Sequence, residues 1–132
     1  MFDKMLEAAK AQSQLAYTPY SNYKVSAAIL MKNGEIVTGM NIENASFSLT
    51  ICAERCALFN ALSRGYKKED MISILIYSPN NYSMPYPCGA CRQVMVELLN
   101  KNTEVIVVND LLKPEYYTVE SLLPHSFDEG SL

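Results

Sequence analysis

The chain has 132 residues, 49% of them hydrophobic and 19% charged, and a net charge of −3. That length supports one domain with a real core rather than two, and a slightly acidic chain without a basic cluster argues against a polynucleotide substrate, which needs many phosphate contacts. No apolar run approaches the ~20 residues of a membrane span, and Met1-Phe2-Asp3-Lys4 opens no apolar leader, so the four cysteines are expected in a reducing, cytoplasmic setting.

Residues 2–17 read as a helix with Phe2, Met5, Leu6, Ala9 and Ala16 on one face. Tyr17-Thr18-Pro19-Tyr20-Ser21 ends it in a loop. Two apolar runs follow, Val25 to Met31 and Ile36 to Met40, and the Asn33-Gly34 pair between them predicts a β-hairpin. Asn41-Ile42-Glu43-Asn44 leaves the second strand. In extended chain Asn41 and Glu43 face one way and Ile42 turns into the core. As a bare pattern this is either a polar strand end or an amide–carboxylate pair suited to sugar hydroxyls, with Asn44 shaping the turn.

A helical pattern resumes after Cys52 with Ala53, Cys56, Ala57, Phe59, Ala61 and Leu62 at spacings of three and four. Ile72 to Tyr77 reads as a strongly apolar strand, central in the sheet. A loop over 78–86 leads to a second helix with Val94, Met95, Leu98 and Leu99 on one face. Glu104 to Asn109 and Tyr116 to Val119 are strands, and Thr118 can cap a last turn through Leu122 and Leu123 that Pro124 ends. This order predicts a single α/β domain over 1–132, a three-layer α/β/α sandwich on a mixed sheet, with 128–132 as a flexible tail. His125, the one histidine, lies in a terminal loop and reads as a solvated side chain.

Chemistry concentrates at Cys52-Ala53-Glu54-Arg55 and Pro87-Cys88-Gly89-Ala90-Cys91, each at the start of a helix. Pro87 suits a helix entry, where its missing N–H costs nothing. A thiol in a first turn faces free N–H groups and the positive end of the dipole, which favours the thiolate that a metal needs. Cys88 and Cys91, three apart, lie on one face and can grip one ion. Three thiolates from Cys52, Cys88 and Cys91 leave the fourth tetrahedral position of a zinc ion for water, and Glu54 stands beside it as a general acid/base. The alternative is a closed structural site in which Cys56 supplies a fourth thiolate and Glu54 has no task.

Cys-Ala-Glu followed by Pro-Cys-Gly-Ala-Cys-Arg-Gln resembles the zinc-dependent cytidine deaminases, in their small homotetrameric form with three cysteine ligands. The family's Tyr-x-Pro-Tyr-Ser-x-Phe-x-Val-Gly-Ala-Ala is matched from Tyr17, except for Tyr23 at the Phe position and Ser26 at the Gly. Leu122-Leu123-Pro124-His125-Ser126-Phe127 resembles the family's ending. The resemblance implies five strands in the order 2-1-3-4-5, one Zn²⁺ per chain, and hydrolysis of cytidine and 2′-deoxycytidine in pyrimidine salvage. It implies Cys52, Cys88 and Cys91 as ligands, Glu54 as proton shuttle, and Arg55 as the donor that offsets thiolate charge. It further implies substrate contacts from Tyr23, Asn41, Glu43 and Ala53, with Phe127 reaching a neighbouring subunit's pocket in a homotetramer. Phe47 stands where relatives often carry Tyr. Blasticidin-type deaminases share both zinc motifs, and Asn41-Ile42-Glu43-Asn44 favours the nucleoside enzymes over them.

Overall fold

In the computed structural model, which describes residues 1–132, the Asn33-Gly34 pair turns the chain between β1 (Ser26–Met31) and β2 (Ile36–Met40). Gly34 takes φ +89°, a conformation that a side chain disfavours. The Gly34 N–H donates to Met31 O at 2.9 Å and the Asn33 side-chain oxygen accepts from Glu35 N at 3.0 Å, so the pair builds the turn as the sequence predicts.

β1 also pairs antiparallel with β3 (Met71–Ser78), β3 runs parallel to β4 (Glu104–Asn109), and β4 pairs antiparallel with β5 (Glu115–Thr118). The sheet order is β2-β1-β3-β4-β5, with the apolar β3 at its centre. α1 (Phe2–Ser13) covers one face through Met5, Leu6 and Ala9 against Ala28, Leu30, Leu75 and Ile106. α2 (Ala53–Ser63), α3 (Gly89–Leu98) and the short α4 (Val119–Leu122) cover the other, over Ala27, Ile29, Val37, Ile74, Ile76, Val105 and Val107. This is the three-layer α/β/α arrangement on a mixed sheet. No helix is long and apolar enough to cross a membrane.

Three local expectations are revised. α1 stops at Ser13, not at residue 17, because Gln14, Leu15 and Ala16 donate to carbonyls three residues back and tighten the chain out of the helix. The buried stripe of α2 is Ala53, Glu54, Ala57, Leu58 and Ala61, while Phe59 and Leu62 face outward. Ile42 is exposed rather than in the core, since its backbone bridges both Tyr17 and Ile51 and the buried member of the segment is Asn41. Thr118 does cap α4, accepting from Ser121 N at 3.1 Å. The last residues form one turn, Glu129–Ser131, in which Asp128 accepts from Gly130 N and pairs with Lys101 Nζ at 3.4 Å.

α2 lies directly on β2 at Gly39. A Cβ there would sit 2.3 Å from Ala57 N and 2.8 Å from Ala53 O, both backbone atoms that cannot swing aside. The glycine thus sets the depth at which the first turn of α2, and with it Glu54, rests on the sheet. Gly39→Ala is expected to destabilise the fold by about 3 kcal/mol through this overpacking, read as a lower urea midpoint at unchanged slope. A wild-type midpoint would show that strand and helix do not touch.

Candidate active site

The two cysteine motifs meet at the ends of two helices on the same face of the sheet. Cys52 is the N-cap of α2 and Cys88 the N-cap of α3, with Cys91 in the first turn of α3. Their sulfurs all lie within 4.8 Å of one another, and Cys52 Sγ is 3.7 Å from Cys88 Sγ. Three Zn–S bonds of 2.3 Å at tetrahedral angles would separate the sulfurs by about 3.8 Å, so the donor set fits that ion. Cys56 is not part of the cluster. It sits a full turn along α2, where its N–H donates to Cys52 O, and the four-thiolate alternative therefore lacks its fourth member.

Polar surroundings divide the cluster. The Cys91 thiol, then Arg55 and Cys88, donate toward Cys52 and hold its pKa down at about 5. The same bond to Cys52, together with burial, pushes Cys91 up. Arg55 Nη2 stands 3.4 Å from Cys52 Sγ, and this contact keeps the guanidinium firmly protonated. Glu54, in the first turn of α2, is 4% exposed, and burial pushes its carboxyl up to about 7. A carboxyl poised near neutrality can both accept and return a proton.

Cys52, Ala53, Glu54 and Cys88 open onto a cavity of ≈ 180 Å³, walled by Tyr23, Val25, Asn41, Ile51, Pro85 and Tyr86. A half-open apolar chamber with thiols and one buried carboxyl at its floor suits a small planar substrate. The comparisons with known proteins agree with the chamber's chemistry. Residues 2–108 match the family model described as the cytidine and deoxycytidylate deaminase zinc-binding region. The chain is 48% identical over 112 residues to a cytidine deaminase of Halalkalibacterium halodurans, covering 85% of this chain and 83% of that one. The chain belongs to the cytidine deaminase family.

A cytidine deaminase of Sporosarcina psychrophila is 38% identical over 130 residues, covering 98% of this chain and 93% of the relative. The crystal structure of cytidine deaminase from Burkholderia pseudomallei superposes with a TM-score of 0.91 at 42% identity, covering 96% of this chain and 99% of that one. Within this family fold, the other residues singled out in the sequence fall into two groups. Tyr23, Asn41 and Ala53 line the chamber; Glu43 and Phe127 do not. The Asn41 amide is already engaged, donating to Tyr23 O at 2.7 Å and accepting from Val25 N at 3.0 Å, which fixes the Tyr23 wall. Glu43 accepts from Tyr20 N at 3.0 Å, Ser21 N at 3.1 Å and the Ser21 hydroxyl, and the hydroxyl contact above all lowers its pKa. It lines a second, more open hollow with Tyr20, Asn44 and Phe47, and Thr50 belongs to both. Asn44 shapes the turn, accepting from Ser46 N at 2.8 Å. Phe127 is 61% exposed.

Two residues of this deaminase were not legible as site residues. Arg92 Nε donates to Pro87 O at 2.7 Å and Nη1 to Leu122 O at 2.9 Å, so one guanidinium ties the residue before Cys88 to the end of α4. Gln93 Nε2 donates to Phe127 O at 2.8 Å. The Arg-Gln pair after the second motif thereby holds the C-terminal segment against α3. Arg92 and Gln93 directly follow Cys91, and no pattern in the sequence pairs them with the carbonyls of Leu122 and Phe127 some thirty residues away.

Proposed function

We propose that this chain hydrolyses cytidine and 2′-deoxycytidine to uridine and 2′-deoxyuridine with release of ammonia, a step of pyrimidine salvage in the cytoplasm. The observation that carries the reading is Glu54: a buried carboxyl beside three clustered thiols, at the floor of a cavity, serves no structural need. Bound by Cys52, Cys88 and Cys91, zinc supplies a water whose pKa is lowered to about 7. Glu54 takes one proton from the attacking water and delivers it to ring N3 while the oxygen adds to C4. It then carries the second proton from that oxygen to the exocyclic amine, which leaves as ammonia as the C4 carbonyl forms. Three thiolates leave a dication with a net negative charge, and the Arg55 contact to Cys52 Sγ offsets part of it. Loss of cytidine ultraviolet absorbance, abolished by a strong chelator and restored by zinc, tests the reading. Turnover that ignores the chelator, or no turnover by zinc-loaded protein, would refute it.

The sugar is assigned to the hollow around Glu43, which shares Thr50 with the chamber as a lining residue. Glu43→Gln is expected to lower kcat/KM for cytidine by about 10- to 100-fold, since a charged hydrogen bond contributes ~1.5–3 kcal/mol, and to change the slow use of free cytosine far less. Equal losses on both would mean that the carboxylate serves only the Tyr20–Ser21 turn.

Phe127, exposed on a segment held by Gln93, is assigned to a neighbouring subunit's pocket in a homotetramer. Native mass measurement should find a tetramer, and Phe127→Ala should reduce activity with metal content intact. A fully active monomer would refute the shared pocket.

A further inference from the structure

One wall of the chamber is not accounted for by the proton chemistry or the sugar contacts. Tyr86 lies two residues before Cys88, between two prolines that fix the backbone on either side. Its N–H donates to Met84 O at 2.9 Å, while Arg92 holds Pro87 O. The backbone is therefore rigid, but the ring is 50% exposed and burial alone does not select its rotamer. Glu115 on β5 supplies that selection. Its Oε1 accepts from the Tyr86 hydroxyl at 2.8 Å and also from the Tyr117 hydroxyl. The two rings meet edge to face, with centroids 6.3 Å apart and planes at 75°. A carboxylate on the sheet edge thus holds a chamber wall from behind.

We propose that Tyr86 determines how much bulk a cytosine nucleoside can carry on its ring edge, and that Glu115 is the positioning residue that holds Tyr86 in the wall. This rests on the deaminase reading and extends it to substrate choice. Tyr86 is the largest wall residue of the ≈ 180 Å³ chamber that is anchored by a side-chain hydrogen bond to another element. With the ring fixed, a methyl group on 5-methyl- or N4-methylcytidine meets the Tyr86 side of the chamber; with the ring free or absent, that side widens. Glu115 does not line the chamber and acts through the phenol it holds.

The test compares kcat/KM for cytidine, 5-methylcytidine and N4-methylcytidine in zinc-loaded wild type, Tyr86→Ala, Tyr86→Phe, Glu115→Ala and Glu115→Gln. Tyr86→Ala should raise the methylated-to-unmethylated ratio for at least one analogue by about tenfold, the scale of one methyl group in an apolar pocket. Tyr86→Phe and Glu115→Ala should each move the ratio in the same direction by less. Their double variant should match either single one, because both break the same bond. Glu115→Gln, which keeps an acceptor oxygen, should restore the wild-type ratio. An unchanged ratio in both Tyr86 variants would overturn the role of the wall. A ratio moved by Tyr86→Ala but not by Glu115→Ala, or additive effects in the double variant, would overturn the positioning role. Dissociation constants for uridine and 5-methyluridine, which do not turn over, give the same ratio without catalysis. They keep a failure of the wall distinct from a failure of the deaminase reading: wild type that fails to turn over cytidine refutes the latter alone, and a 5-methyluridine selectivity and an N4-methylcytidine ratio both unchanged in the Tyr86 variants refute the former.

Discussion

Glu54→Gln is expected to lower the rate about 10³-fold, in the middle of the range for a positioned general acid/base, while metal content stays near one ion per chain. The substitution keeps the shape of the side chain and removes only its capacity to carry protons. Activity within about tenfold of wild type, at full metal content, would take Glu54 out of that role. A second consequence concerns stability. Burial raises the Glu54 carboxyl from 4.5 to about 7, so folding favours its protonated form. Its contribution is fully present below pH 4.5 and is lost as the pH rises through about 7. In protein stripped of metal by a chelator, Glu54→Gln should therefore be more stable than wild type above pH 7, by up to about 3 kcal/mol, and no more stable below pH 4.5. Parallel melting curves across that range would show that the carboxyl is not held neutral by burial.

Cys88→Ser should lose the metal and the activity together, while Cys56→Ser keeps both. Elemental analysis of the two purified variants gives the contrast directly. Residue 56 lies about 6 Å further along the helix axis than residue 52, and thiolate ligands must approach zinc to ~2.3 Å. Cys56 also stands outside the group of sulfurs that meet. Its substitution places a hydroxyl in a half-buried position, at a cost of about 1 kcal/mol in stability. If Cys56→Ser strips the metal as Cys88→Ser does, the site is four-thiolate and the open coordination position disappears with it.

The parts of the fold that were legible from sequence are those set by neighbours in the chain. Asn33-Gly34 specifies its own turn, Thr118 caps its own helix, and Pro87 before Cys88 marks a helix entry. The Cys88–Cys91 grip was legible for the same reason, while the meeting of Cys52 with it, across 36 residues, is not a local matter. The remainder depends on distant partners. The exposure of Ile42 follows from bridges to Tyr17 and Ile51, and the burial of Leu58 rather than Phe59 follows from which side of α2 meets the sheet. The Leu122 carbonyl that Arg92 holds lies 30 residues further along the chain. The backbone that crowds Gly39 belongs to α2, a later element of the chain. The Asn41 and Glu43 pair was legible as polar chemistry, but not that both side chains would already serve the 20–25 segment.

The thiols join positions far apart along the chain. Cys52 and Cys88 are 36 residues apart, and all of β3 lies between them. An ion gripped by both acts as a removable cross-link around the central strand, closing a loop that no covalent bond closes. Because the unfolded chain cannot assemble the three sulfurs, the free energy of gripping the ion adds directly to that of folding. The cross-link lies wholly on the α2–α3 side of the sheet, and the cluster under α1 on the opposite side shares none of its side chains. The molecule thus has one face that metal reinforces and one that stands on packing alone, and withdrawal of the ion loosens the two unequally.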